Sequence, residues 1–164
     1  MSSNFNKVRE FNKTFSSPCY ETYNEEVFKD KDLVKLRLDL IKEEVEELRE
    51  ALENKDIVEV VDALGDILVV TYGAFDAFGV DGDKVFNEVH SSNMSKLCNT
   101  EEEARESVEW YKDEGKYDSP NYRLCETGEG YVVFNESSGK ILKNQSKNNK
   151  WREPDFSVFE KFIK

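Results

Sequence analysis

The sequence predicts a mostly α-helical protein: a helical bundle with a small antiparallel β appendage near its C-terminus. Three observations predict it. Apolar residues recur at helical spacing from Phe5 to Leu97. From Tyr122 the pattern changes to short β-prone runs separated by glycine-containing turns. With 38% apolar and 35% charged residues, the 164-residue chain suits one compact, well-solvated domain plus a small appendage, and hardly two full cores.

Phe5, Val8, Phe11 and Phe15 predict a first helix over about 5–15. Residues 16–28, with Pro18, read as loop. A long helix starts near Asp30 or Asp32, either a plausible N-cap, and runs to about Glu53. Residues 54–56 break the pattern, and Asp56 can cap a helix over about 57–78 that is apolar on most of its circumference and so belongs in the middle of a bundle. A turn at 79–82 precedes a fourth helix over about 83–97. Thr100 to Glu103 is a capping-box signature for a fifth, ending near Gly115. Runs at 122–126, 131–135 and 140–143 suggest a small meander. Residues 144–150 read as a polar linker, and Phe156, Phe159 and Phe162 as a short final helix.

Thirty-five acidic against 23 basic residues give a formal net charge of −12, which argues against a nucleic-acid binder. A polyphosphate ligand remains compatible if bound cations reverse the local sign. The longest apolar run, Ile67 to Phe78, is far short of a bilayer span and contains Asp76, so no membrane partner is expected. The N-terminal residues lack an apolar signal region, and three scattered cysteines fit a cytoplasmic protein. With His90 the only histidine, a zinc site is not expected; His90 reads as a helix-surface or interface residue.

The acids carry the chemical signal. Leu33, Leu36 and Leu40 form a stripe that, continued by threes and fours, reaches Glu44, Glu47 and Ala51. On the next helix Glu59, Asp62 and Asp66 share a face amid Val58, Val60, Val61, Leu64, Ile67 and Leu68. Carboxylates at an inner face are costly unless something pairs with them, and no Lys or Arg on the stripe does. Hard oxygen donors suit Mg²⁺, or Mn²⁺. The competing reading is a solvated acidic seam. Glu46, Glu50 and Glu53 lie on the outside and need no special reason. Asn93 and Lys96, at i, i+3 spacing, suit phosphate oxygens; Lys140 and Lys143 are weaker candidates. Phe11, Phe15 and Tyr20 could stack on a base, although core packing accounts for the two phenylalanines more simply.

These residues resemble a known pattern. Glu43, Glu44 and Glu47, followed by Glu59 and Asp62, look like the E-E-x-x-E…E-x-x-D signature of MazG-like all-α nucleoside triphosphate pyrophosphohydrolases. The text around Leu36, Asp62-Ala-Leu-Gly and Glu88 to Lys96 is similar to the subgroup related to phosphoribosyl-ATP pyrophosphohydrolase, as are Gly139 to Lys143 and Pro154-Asp155. The resemblance spans about 8–97 and resumes near 139; residues 100–138 look like an insertion of unassigned role.

The resemblance implies a four-helix-bundle core over 1–98, with 99–164 packed on it as insertion helix, meander and tail. It implies Mg²⁺-dependent hydrolysis of an NTP or dNTP at the α–β bond to a monophosphate and pyrophosphate. Glu44, Glu47, Glu59 and Asp62 would be metal ligands. Glu43 would be a further ligand or the group that orients or deprotonates the attacking water, and Glu44 belongs with it in the catalytic set. Asn93 and Lys96 would contact the triphosphate, and Asp66 would support the ligands. A homodimer or higher homo-oligomer is implied as well. Two alternatives stand beside this reading: hydrolysis of phosphoribosyl-ATP, and a non-catalytic helical module that binds a nucleotide or a partner.

Overall fold

The computed structural model describes residues 2–23 and 25–157; the final helix expected around Phe159 and Phe162 lies outside the described residues. The chain divides into two compact units, 1–86 with 156–164, and 87–155.

In the first unit, α1 (Asn4–Thr14) starts at Ser3, whose side chain accepts from the Asn6 amide at 3.2 Å. It buries Phe5, Val8 and Asn12. Phe11 and Phe15 are exposed and lie against each other with centroids 4.6 Å apart, so the buried line runs 5, 8, 12 and core packing is not what holds these two phenylalanines. The expected loop before the long helix contains a short 3-10 helix, Glu25–Lys29, whose Val27 is fully buried with Leu33 and Ala77. Five residues with one inward side chain carry no periodicity, which is why the pattern passed as loop.

Helix α2 (Lys31–Asn54) is capped by Asp30, which accepts from the Leu33 amide at 3.0 Å. It ends at Lys55 in the left-handed region (φ 56°), where the Lys55 amide donates to the Leu52 carbonyl and the Asp56 amide to the Ala51 carbonyl. Asp56 then caps α3 (Ile57–Ala77) through the amides of Val58 and Glu59. The reversal makes α2 and α3 antiparallel neighbours. A left-handed cap without glycine is strained, so Lys55→Gly is expected to raise the unfolding free energy by about 0.5–1 kcal/mol, read by urea denaturation.

The expectation that α3 is covered on most sides needs correction. Its buried residues are Ala63, Gly73, Asp76 and Ala77, whereas Ile57, Val58, Val61, Leu64, Leu68 and Val69 are exposed. Helices α1 and α2 cover one side of α3; among the described residues nothing covers the apolar residues on its other side. On α2 the buried positions are Leu33, Arg37 and Ala51, and Leu36 is exposed rather than part of the stripe. The turn after α3 passes so close to the Thr22 backbone that a Cβ on Gly79 (φ 68°) would lie 2.4 Å from the Thr22 carbonyl carbon. Only glycine fits there.

Helix α4 (Gly82–Met94) begins in the first unit and continues into the second. The second unit contains α5 (Glu101–Glu114), capped by Thr100 on the Glu103 amide at 3.2 Å and closed by left-handed Gly115. The Glu103 carboxylate reaches back to the Asn99 amide at 2.7 Å, one residue beyond the usual capping-box target. β1 (Pro120–Leu124) pairs antiparallel with β2 (Tyr131–Asn135), Tyr122 opposite Val133. They pack on α5 through Cys98, Ala104, Val108, Tyr111, Val133 and Leu142. The expected third strand is reduced to a single bridge, Phe134 to Ile141, framed by the Asn135 amide donating to the Lys140 carbonyl and the Leu142 amide to the Val133 carbonyl, each at 2.8 Å.

Residues 144–150 are not a solvated linker. Asn144 and Ser146 are fully buried; Asn144 Oδ1 accepts from the Ser107 hydroxyl and the Ser146 amide, and its Nδ2 donates to the Leu97 carbonyl. Polarity suggested solvent, but buried polar groups are admissible wherever their hydrogen bonds are met. Among the described residues no helix is long and apolar enough to cross a membrane.

Candidate active site

Two kinds of acid sit on α2, separated by the direction in which they point. On the outer face Arg49 takes Glu46 at 2.5 Å and pairs with Glu53 one turn on, and this contact holds the Glu46 carboxyl below the usual range. Glu44, two residues from Glu46, behaves oppositely. It is half-buried, its Oε2 is shielded from solvent with no hydrogen-bond partner among the described residues, and its pKa is raised. Burial is the largest cause, followed by the negative charges of Glu47, Asp66, Glu43 and Asp62.

That set draws Glu43, Glu44 and Glu47 from α2 together with Asp62 and Asp66 from α3. The capped reversal at residues 55–56 brings them together, since it lays the last three turns of α2 beside the start of α3. Glu59 lies one turn before Asp62 on α3, and its charge is not among those acting on Glu44.

Glu43, Glu47, Glu59, Asp62 and Asp66 are exposed in the single chain, which corrects the expectation of two acid pairs on a covered inner face. They share that open surface with Val58, Val61, Leu64 and Leu68. Periodicity marks every apolar neighbour as covered, whether or not the folded chain supplies the cover.

The donor chemistry fits a hard divalent cation: oxygens only, an orphaned carboxylate oxygen, and net repulsion that a doubly charged ion would reverse. Among the described residues, no three or more aspartate, glutamate, histidine or cysteine side chains of the single chain are grouped closely enough to hold a metal ion.

Asn93 and Lys96 belong to the second unit. Asn93 sits in the last turn of α4, and Lys96 lies just beyond that helix. The Lys96 amide donates to the Asn93 carbonyl at 3.1 Å, and Lys96 Nζ to Asn93 Oδ1 at 2.7 Å. The predicted i, i+3 face is therefore present, with amide and ammonium joined. Lys140 Nζ lies 5.5 Å from the Tyr117 ring centroid and Lys143 Nζ 3.4 Å from that of Trp151. His90 is an exposed residue of α4, and Tyr20 packs against the small core around Val27.

Sequence reasoning missed a buried polar knot beneath these helices. Asp76 is 2% exposed; its Oδ2 accepts from Asn12 Nδ2 at 2.8 Å, and Arg9 Nε lies 3.3 Å from Oδ1 without hydrogen-bond alignment. Arg37 is buried nearby and donates to the Pro18 carbonyl at 3.4 Å. Burial pushes its pKa down, against the pull of Asp76. A Cβ on Gly73 would stand 3.1 Å from Arg37 Nη1, so a small residue leaves room for the guanidinium. The available signal was an aspartate inside the apolar run 67–78.

Comparison with known proteins gives this arrangement a family. The profile of phosphoribosyl-ATP pyrophosphohydrolase matches residues 8–93, just over half of the chain and the whole stretch that carries the acids. The chain belongs to that family. The family is part of the MazG-like all-α NTP pyrophosphohydrolase superfamily, and the mostly helical fold with its small two-stranded sheet agrees with it. Membership implies pyrophosphohydrolase activity on nucleotides, in a family that is typically dependent on a divalent metal. The chain is also 30% identical to "Uncharacterized protein L479" of Acanthamoeba polyphaga mimivirus, a similarity covering 94% of both chains.

Proposed function

We propose that the protein hydrolyses a nucleoside triphosphate, ribo or deoxy, at the α–β bond to a nucleoside monophosphate and pyrophosphate, with magnesium as cofactor. One observation carries this reading: Glu44 is half-buried with an orphaned oxygen, in the field of acids from two helices. A structural acid would find a base, as Glu46 finds Arg49. Glu44, Glu47, Glu59 and Asp62 are the proposed metal ligands, within a catalytic core of residues 1–98. A divalent cation held by them supplies neutralisation of the phosphate charge and acidification of water.

The chain's own groups then position the parts. Glu43, with Glu44, orients the attacking water and accepts its proton. Asn93 donates its amide N–H and Lys96 its ammonium protons to phosphate oxygens. Catalysis of this kind is mostly positioning and electrostatics, so rigid helices are suitable carriers.

The family's own name favours a second reading, in which the triphosphate is that of phosphoribosyl-ATP. The two substrates differ beyond the phosphates. A panel of nucleotides and phosphoribosyl-ATP, assayed with magnesium for pyrophosphate and orthophosphate separately, decides between them. Orthophosphate alone would point to the terminal bond and reject both readings. No product from any substrate would leave a non-catalytic binding module.

Self-association completes the proposal. Val58, Val61, Leu64 and Leu68, all exposed on α3, form an apolar surface of the kind that marks an interface. A second copy covering it would also take the neighbouring acids out of bulk water. Leu64→Lys is expected to convert a dimer or larger assembly to monomer in sedimentation experiments and to reduce turnover on the order of tenfold or more. A wild-type chain that sediments as a monomer at every concentration would reject this part.

A further inference from the structure

The segment from Leu142 to Asp155 is a strap with anchors at both ends, although its sequence is polar and lacks periodicity. At its start the Tyr111 hydroxyl accepts from the Lys143 amide at 3.1 Å and lies 3.2 Å from the Lys143 carbonyl. Asn144 and Ser146 are buried, and Ser107 of α5 holds the segment by donating to Asn144 Oδ1 and accepting from the Gln145 amide. The Trp151 amide donates to the Asn144 carbonyl at 2.8 Å, folding the strap back on itself.

The next residue, Arg152, meets α4 and the turn just after it through its amide, its carbonyl and its guanidinium. Its amide donates to Ser95 Oγ at 3.2 Å, and its carbonyl accepts from Ser92 Oγ at 2.9 Å. Its guanidinium donates to Glu88 Oε1 at 2.6 Å and to Ser91 Oγ at 2.5 Å. The Asp155 amide adds a second donor to Glu88 Oε1 at 2.8 Å.

These contacts span residues 88–95 of the chain, and the Asn93–Lys96 pair lies at their far end. Helix α4 stops at Met94, so Lys96 stands past the last regular turn, where helices fray unless tertiary contacts hold them. A single ion pair on the surface would do little. A network that grips three serines and a glutamate, with Ser92 only 2% exposed, does more.

We infer that Arg152 is a positioning residue which, strapped across the end of α4, holds the turn from Asn93 to Lys96 so that amide and ammonium meet a polyphosphate together. The inference rests on the pyrophosphohydrolase reading for its ligand, and on the hydrogen bonds above for its geometry. It also gives the stretch 100–138 a role, since α5 and the hairpin form the base on which the strap is anchored.

The test compares full-length wild type, Arg152→Ala, Arg152→Lys and Glu88→Gln. It measures turnover of the best nucleotide, binding of its non-hydrolysable α,β-methylene analogue, and amide hydrogen exchange. For Arg152→Ala, KM and the analogue's Kd are expected to rise about tenfold while kcat stays within about twofold, because a binding contact is loosened and the reacting groups are untouched. Arg152→Lys should recover part of the loss, and Glu88→Gln should show a smaller rise. Amides of Ser95, Lys96 and Leu97 should exchange about tenfold faster or more, with α2 and α3 unchanged. In a Lys96→Ala background, Arg152→Ala should add little.

Unchanged Kd and KM in Arg152→Ala would overturn the inference, as would a fall in kcat alone or full additivity with Lys96→Ala. If wild type releases no pyrophosphate from any nucleotide, the functional reading has failed by itself. Analogue binding then decides the strap: a Kd raised by Arg152→Ala supports it, and an equal Kd overturns it.

Discussion

Glu44→Gln is expected to lower magnesium-dependent pyrophosphate release on the order of 10²-fold or more, the usual loss when one preorganised charge-stabilising group is removed. The same substitution should make the metal-free protein more stable. In wild type the folded chain holds the Glu44 proton more tightly than the unfolded chain does, because burial and the charges of Glu47, Asp66, Glu43 and Asp62 disfavour ionisation. The sign follows from linkage: where the folded state binds more protons, stability declines as pH rises. The decline begins near the ordinary glutamate range and is complete above Glu44's raised value.

Glutamine has no charge to lose there. Glutamine relieves the charge repulsion from its acidic neighbours, so the variant's Tm is expected to be a few degrees higher. The gap between variant and wild type should be full at pH 8 and close toward pH 4. Magnesium should invert the order at pH 8 by stabilising wild type alone. Equal activity in the two proteins, or a variant less stable than wild type at pH 8 without metal, would remove Glu44 from the site. Such opposition of activity and stability is expected where like charges are gathered for a ligand.

The largest effect on stability is expected beneath the site, at Asp76. Asp76→Ala leaves Arg37 buried without its countercharge and frees the Asn12 amide and Arg9. Breaking one side of a buried pair typically costs about 3–5 kcal/mol, a large share of a small domain's stability. Urea denaturation should show it as a lower midpoint with an unchanged slope. Asp76→Asn keeps a hydrogen-bonding group against Asn12 and should cost less. A loss below about 1 kcal/mol for alanine would mean that the two arginines find solvent instead of depending on Asp76. The knot ties α1 and α2 to α3, and α2 and α3 carry the acids. Magnesium affinity should therefore weaken in Asp76→Ala before the chain unfolds, which calorimetry at low temperature can read.

Much of this architecture could be read from the chain alone. Local chemistry announces itself in sequence: Asp30, Asp56 and Thr100 cap the helices that follow them, and residues 54–56 turn α2 back on α3. The acid spacing was equally legible, because i, i+3 and i, i+4 positions share a face on any helix. What the sequence by itself determined is thus the helical class, the order of the elements and the gathering of acids along the α2–α3 seam.

Cover was decided only in three dimensions. A helix wheel says that Val58, Val61, Leu64 and Leu68 avoid water and is silent about whether the same chain shields them; among the described residues they stay exposed. The same limit hid the burial of Arg37 and Asp76, whose partners, the Pro18 carbonyl for Arg37 and the Asn12 amide for Asp76, lie 19 and 64 residues away in sequence. It also hid the strap, in which Asn144 and Arg152 find their partners 37 to 64 residues away. Periodicity reports the direction of a side chain relative to its own element. What lies in that direction is a property of the folded molecule.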